Sequence, residues 1–281
     1  MDSANREQAE FWATVAPTWV EIEDDLDQMS GDLGRMAMDR LDLRPGQQVV
    51  DIGCGTGRTT LELASRVAPD GRALGIDITE VMLERARQHA ARAGVTNVSF
   101  VHADAQLYDF GDAPFDAAYS RFGVMFFSDP EAAFASIHRG VRRGGSVSFV
   151  CWQPVEGNEW TLVPGLAAAA ALDQALVLPS PDEPGPYALS DPARVRAILA
   201  AGAFEEIDIQ PYSDLMVIPE EGIPQRAALA TRTGRVRDLL KDADEPTQGR
   251  VRAAIETAFR SRLQDGEVRL RRSVFLVKAR A

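Results

Sequence analysis

Glycines at positions 53, 55 and 57 follow directly on an apolar run, in the stretch VVDIGCGTGRTTL. Glycine accepts positive φ and lets backbone amides close on a ligand, and a helix starting after such a turn offers its N-terminus to negative charge. That pattern alone suits any nucleotide. The dinucleotide fingerprint G-x-G-x-x-G needs glycine at 58, where Arg58 stands, and no Gly-Lys-Ser/Thr of a Walker loop follows. Three acids narrow the ligand. Asp51 lies just before the glycines, where it could order the loop or meet an ammonium. Asp77 ends RALGID, 20 residues after Gly57, where a carboxylate can take both hydroxyls of a ribose. Asp104 closes VSFVHAD, where it can accept from an exocyclic adenine amine, with Ile78 and Ala105 offering apolar faces to the ring. Such a set favours a neutral or cationic adenosyl ligand and repels a pyrophosphate.

The elements that must carry these residues are visible as alternation. Short apolar runs VVDI, RALGID, VSFVHAD, FDAAYS and SVSFVCW are separated by helical periodicity at about 57–68, 79–93 and 129–142, the form of a parallel sheet covered on both faces. Thr79 and Gly94 read as the two caps of the second helix, and Asp129-Pro130 opens the third. Right-handed crossovers make the sheet doubly wound, with ligands at the carboxyl ends of its strands. Residues 6–43 suggest two helices around the acidic run EIEDDLD. A helix at 191–201, a strand near 204–218 and a last strand at 268–279 resume the sheet. The resulting division is a helical cap (1–43), a core (44–152), insertions expected to act as lids (153–190, with an alanine-rich helix in GLAAAAALDQALVL, and 219–266), and the remainder of the core (191–218 and 267–281).

The chain has 281 residues and a net charge of −12, which disfavours nucleic acid or an anionic membrane as partner. No apolar run reaches the roughly 18 residues of a membrane span, and MDSANREQAE lacks the basic and apolar regions of a signal peptide. The expectation is a cytoplasmic protein, with a homodimer as its expected assembly. Two cysteines, Cys54 and Cys151, are too few for a disulfide scaffold or a zinc site.

Taken in order, VVDIGCGTGRTT, LGIDITEVMLERAR, FVHADAQ, FDAAYSRFGVMFF and VRRGGSVSFVCW resemble the successive motifs of the class I S-adenosylmethionine-dependent methyltransferases. The nearest branch is the one that includes ubiquinone/menaquinone-biosynthesis methyltransferases. The resemblance covers about 45–155, with a weaker match at EFWATVAPTWVEIEDDLD. It implies a mostly parallel, seven-stranded Rossmann-like sheet with an antiparallel last strand, and S-adenosylmethionine as cofactor. It further implies that Asp51, Gly53, Cys54, Gly55 and Gly57 surround the methionine part. Asp77 then meets the ribose, Asp104 with Ala105 the adenine, and Ser120 with Arg121 the methionine end at the fourth strand, with Ile78 and Gln106 also counted among the cofactor-binding positions. Trp12 and Trp19 match aromatic positions of an N-terminal helix that closes over the cofactor. The chain departs from the family after 155, and His102 stands where relatives often carry glutamate.

Methyl transfer from a sulfonium is an in-line displacement served by positioning and water exclusion. A phenol or amine acceptor would benefit from a base, a carbon nucleophile from cation stabilisation, and the residues leave this open. Arg121 could orient an acceptor or sit in an internal ion pair. His102 could act as a base or face solvent. Phe122, Met125, Trp152 and Trp160 could line an acceptor pocket or belong to the core. EIEDDLD reads as a solvated helix face that matches no calcium loop, so no metal is expected. Apolar residues at 160, 162, 166, 172 and 176 point to a lipophilic small-molecule acceptor. Two other readings are a methyltransferase-like module acting through a protein partner, and a dehydrogenase, which Arg58 disfavours. SRFG after the fourth strand lacks the Asn/Asp-Pro-Pro-Tyr/Phe of amino-methylating DNA enzymes.

Overall fold

A computed structural model describes residues 5–111 and 114–281. Helices α1 (Arg6–Glu21) and α2 (Glu23–Asp39) precede β1 (Gln48–Ile52), α3 (Arg58–Val67), β2 (Arg72–Asp77), α4 (Glu80–Ala93), β3 (Val98–His102), β4 (Phe115–Arg121), α5 (Pro130–Gly140) and β5 (Val141–Trp152). Then come α6 (Glu159–Ala171), α7 (Pro192–Ala201), β6 (Glu205–Pro219), α8 (Ile223–Arg232), α9 (Gly234–Leu239), α10 (Glu245–Arg260), β7 (Leu263–Gln264) and β8 (Glu267–Arg280).

The strands form one sheet in the order β3-β2-β1-β4-β5-β8-β6, with β7 pairing to β8. β1 to β5 are parallel and β8 is antiparallel to β5. An eighth strand therefore joins the seven expected. The two-residue β7 turns back onto β8 through Asp265-Gly266, both at positive φ (51° and 78°), the conformation a two-residue hairpin demands. The strand order reverses between β1 and β4, so the connections leaving these two strands diverge and open a crevice at their carboxyl ends. There the backbones nearly touch: a β-carbon placed on Gly53 would lie 2.9 Å from the Gly123 α-carbon.

Contacts divide the chain into two compact units, one formed by residues up to 152 with 180–211 and 274–281, the other by 153–179 and 212–273. In the first, Val49, Val50, Ile52, Ile76, Tyr119 and Phe149 are buried along the strands, and Leu63, Leu83, Phe134 and Ile137 cover them from helices. Each such side chain contributes about 1.5–3 kcal/mol on leaving water. Helix α2 approaches β4 closely because it carries glycine there: a β-carbon on Gly34 would meet Arg121 Cδ at 2.6 Å. The Tyr119 hydroxyl donates to the Gly34 carbonyl (2.8 Å) and that of Ser148 to Ala37 (2.7 Å), bolting α2 to the sheet. Asp129 caps α5 through the Ala132 amide, with Pro130 at its first position.

In the second unit α10 packs on α6 and α8, burying Val251, Ile255 and Phe259 at the four-residue spacing of one helical face. Arg272 and Asp214 pair there through two bonds of 2.6 and 2.8 Å. The alanine-rich helix lies earlier than its composition suggests, ending at Ala171. Asp173 just beyond takes φ +52°, a conformation that cannot continue a right-handed helix. Among the described residues no helix is long and apolar enough to cross a membrane.

Candidate functional site

The glycine turn sits at the end of β1, held to β2 by the Gly53 and Cys54 amides, which both donate to the Ile76 carbonyl (2.9 and 3.0 Å). Gly53, Gly55 and Gly57 all have positive φ, at 67°, 53° and 76°, but their surroundings differ. Gly53 is confined by the Gly123 backbone. Gly57 is confined by α4 and β3, where a β-carbon would lie 2.6 Å from Ala86 Cβ and 3.0 Å from Phe100 Cε1. Gly55 has nothing within 4 Å of that position. Two glycines thus serve packing within the protein, and Gly55 alone of the three presents bare backbone to open space.

Asp51 is fully buried and binds the first turn of α3: Oδ2 accepts from the hydroxyls of Thr59 and Thr60, each at 2.7 Å. Oδ1 is buried with no hydrogen-bond partner. Burial raises the carboxyl pKa to about 6, the two hydroxyls only partly opposing it. Asp77 accepts from the Gly55 amide through Oδ2 (2.8 Å) and from the Thr79 amide through Oδ1 (2.9 Å). It therefore shapes the turn and caps α4, while each oxygen keeps a lone pair for a further donor. Burial leaves its pKa above the ordinary carboxylate value despite those amides.

Asp104 is buried, and Oδ1 accepts from the Asn5 side-chain amide (2.8 Å) and the Gln106 backbone (2.9 Å). The amide donor expected from an adenine is here supplied by Asn5. The Gln106 side chain is turned inward, accepting from the Asp129 amide (2.9 Å). Ala105 is buried beside it and Ile78 half-buried. Cys54 is buried against Gly75, and its thiol pKa is pushed well up by burial.

At β4 the Ser120 hydroxyl donates to the Ile52 carbonyl (2.7 Å) and accepts from the Gly123 amide (3.1 Å), tying the two diverging connections together. Arg121 turns toward α2 and pairs with Asp27 at 2.7 Å, the internal ion pair weighed above as its alternative to acceptor binding. Phe122 holds φ +61° and stacks on Trp152, ring centroids 4.4 Å apart. A bulky residue in that region is strained and kept so by its surroundings. Met125 and Trp152 are buried. Trp12 packs edge-on against Trp19 (5.3 Å) and Phe126 (4.9 Å), bringing α1 to the turn after β4. His102 is exposed, its Nε2 2.9 Å from the Ile78 carbonyl and its Nδ1 3.5 Å from Glu80. Trp160, in the second unit, donates to Asn158 (3.1 Å).

The acidic run at the start of α2 is solvated at Glu21 and Asp24, as its composition suggests, but not at Glu23. Glu23 is buried, its Oε1 meeting Arg85 (2.5 Å), His89 (3.2 Å) and Arg58 (3.7 Å). Burial would raise its pKa, but the Arg85 bond and the neighbouring cations bring it below the usual value. His89 Nδ1 lies 3.0 Å from the Thr56 carbonyl, so one imidazole links α2 to the glycine turn. Asn5, Thr59, Thr60, Glu23 and Gly123 escaped the sequence reading. Only the Thr-Thr pair directly after the turn carried a local signal.

Residues 49–145 match the family described as a methyltransferase domain. The chain is 33% identical over 117 residues to the aklanonic acid methyltransferase of Streptomyces sp. strain C5, covering 42% of this chain and 53% of that protein. It is 32% identical over 108 residues to the demethylmenaquinone methyltransferase of Geobacillus stearothermophilus, 38% and 46% of the two chains. The match thus spans about half the length of these relatives. The crystal structure of the YcgJ protein of Bacillus subtilis superposes with a TM-score of 0.56 at 21% identity, covering 88% of this chain and 97% of that one. That likeness bears on the fold.

Proposed function

We propose that the chain, whose residues 49–145 match a methyltransferase domain and which is similar over about half their length to named methyltransferases, is a class I S-adenosylmethionine-dependent methyltransferase that binds its cofactor at the carboxyl ends of β1, β2 and β3 and methylates a small organic molecule. One observation carries the reading: Asp51, Asp77 and Asp104 stand at three adjacent strand ends around the unobstructed Gly55. The orphaned Oδ1 of Asp51 suits a cationic group, and a β-carbon on Gly55 would fill the cradle.

In this reading Asp77 takes the ribose hydroxyls with its remaining lone pairs, and Gly55 lets the backbone approach the methionine end. Asp104 receives the adenine amine in place of Asn5. When bound, the cofactor supplies an electrophilic methyl group on a sulfonium. The chain's own contribution is to orient that group and exclude water, which is where most of the acceleration of an in-line displacement arises. Phe122, Met125 and Trp152 make the surroundings of the β4 end apolar. With Arg121 committed to Asp27 and His102 to Ile78, neither is assigned as a base. Quinone-like and organic-acid acceptors are favoured, as the relatives' names support, and the acidic chain is read as a cytoplasmic enzyme of small molecules.

Radiolabelled S-adenosylmethionine incubated with demethylated quinones and aromatic acids tests this. Transfer of label to at least one acceptor, lost in Gly55→Val, is expected. Absence of transfer to any of them would refute the acceptor class.

A further inference from the structure

A cavity of about 500 Å3 opens among α2, α3 and α4. Its charged walls are Asp27 and Arg35 of α2, Arg58 and Glu62 of α3, Arg92 of α4, and Arg121 at the end of β4. None of Asp51, Gly55, Asp77 or Asp104 lines it, so it is distinct from the cofactor reading and does not rest on it.

The charges do not balance. Asp27 is taken by Arg121 at 2.7 Å, and Glu62 by Arg66 at 2.8 Å. Arg58 meets Asp24 and Glu23 with its terminal nitrogen, yet its Nε is buried and has no partner. Arg35 and Arg92 have no acid within ion-pairing distance among the described residues. Both walls' acids are therefore spent while two guanidinium groups are uncompensated, and His89 lines the same cavity with both ring nitrogens committed to Glu23 and Thr56. Gly31 and Ala93 keep the cavity free of bulk. In a chain of net charge −12 this local excess of cations runs against the global field. Planar guanidinium forks match the oxygens of phosphate and carboxylate.

We infer that this cavity is a binding site for a small oxyanion carrying two negative charges, held between Arg35 and Arg92 over the N-terminal turn of α3. Its ligand bridges α2 to α4 beside the Glu23–His89–Thr56 link to the glycine turn, which makes it an effector site rather than an acceptor site.

Isothermal calorimetry with inorganic phosphate, at ionic strength fixed with sodium chloride, decides the matter. Saturable one-to-one binding at millimolar concentration or tighter is expected, weakened at least tenfold in Arg35→Ala/Arg92→Ala. Both side chains are exposed and unpaired, so the double variant keeps its fold, checked by its circular dichroism. No saturable heat beyond the chloride control, or an unchanged affinity in the variant, would overturn the site. S-adenosylhomocysteine titrated into phosphate-saturated protein separates the two sites. A phosphate-saturable change in its affinity without displacement supports the inference; equal affinity with and without phosphate overturns the effector role, and mutual displacement overturns the separateness of the sites. Absence of any S-adenosylhomocysteine binding would count against the cofactor reading alone.

Discussion

At the scale of residues, Asp51 shows how a buried acid can stabilise local structure and still bear a cost. Its Oδ2 anchors Thr59 and Thr60 while Oδ1 has no partner, so the folded state prefers it protonated, with a pKa of about 6 against 3.8. The folded protein then holds more protons than the unfolded one between roughly pH 4 and 6. The stability it contributes is complete below that window and is lost as pH rises through about 6. Asp51→Asn keeps an acceptor for both threonines and does not titrate. Its stability relative to the parent should improve by about 1.5 kcal/mol between pH 5 and pH 7.5, at 1.36 kcal/mol per pKa unit. Urea melts of both proteins at the two pH values measure this, and an identical difference at both would contradict the assignment. The glycines divide by the same logic. Gly53→Ala forces a β-carbon into the Gly123 backbone and should lose about 3 kcal/mol or more of stability. Gly55→Ala carries only the left-handed backbone penalty, about 1–2 kcal/mol, yet should weaken S-adenosylhomocysteine binding more than tenfold. Comparable binding losses after correction for folding would remove Gly55 from the site.

At the scale of elements, the order of strands and crossover helices was legible because each carries its own local signal. RALGID is followed by a capped helix, and Asp129-Pro130 announces α5 as the structure has it. The contacts that complete the site were not legible, because they join positions far apart in the chain. Asn5 reaches Asp104 across 99 residues, and Glu23 gathers cations from α3 and α4 that no pattern in EIEDDLD announces. The Asp265-Gly266 turn was a readable hairpin signal, overlooked inside a segment of helical periodicity. Glu23→Ala would leave Arg85 and His89 without their shared carboxylate. Since these partners are partly solvated, a loss of about 2–3 kcal/mol is expected, below the 3–5 of a fully buried pair. Loosening the His89 link to Thr56 should also weaken cofactor binding. Thermal melts and calorimetry on the same variant check both, and unchanged values would show that α2 is held by its contacts with β4 and β5 alone.

At the scale of the whole molecule, a parallel sheet with a switch point between β1 and β4 sets where a ligand can bind, and the acids at its strand ends set which ligand. The net charge of −12 should keep the protein from retaining duplex DNA in a gel-shift assay at about 50 mM salt, where phosphate-backbone binding is strong; a retained complex would contradict the small-molecule reading. The central claim concerns the acids, and calorimetry with S-adenosylhomocysteine tests it most directly. Saturable one-to-one binding is expected, with Asp77→Ala losing about 1.5–3 kcal/mol of affinity, the range for a hydrogen bond to a charged group. No binding at millimolar concentration, or an affinity untouched by Asp77→Ala, would contradict it.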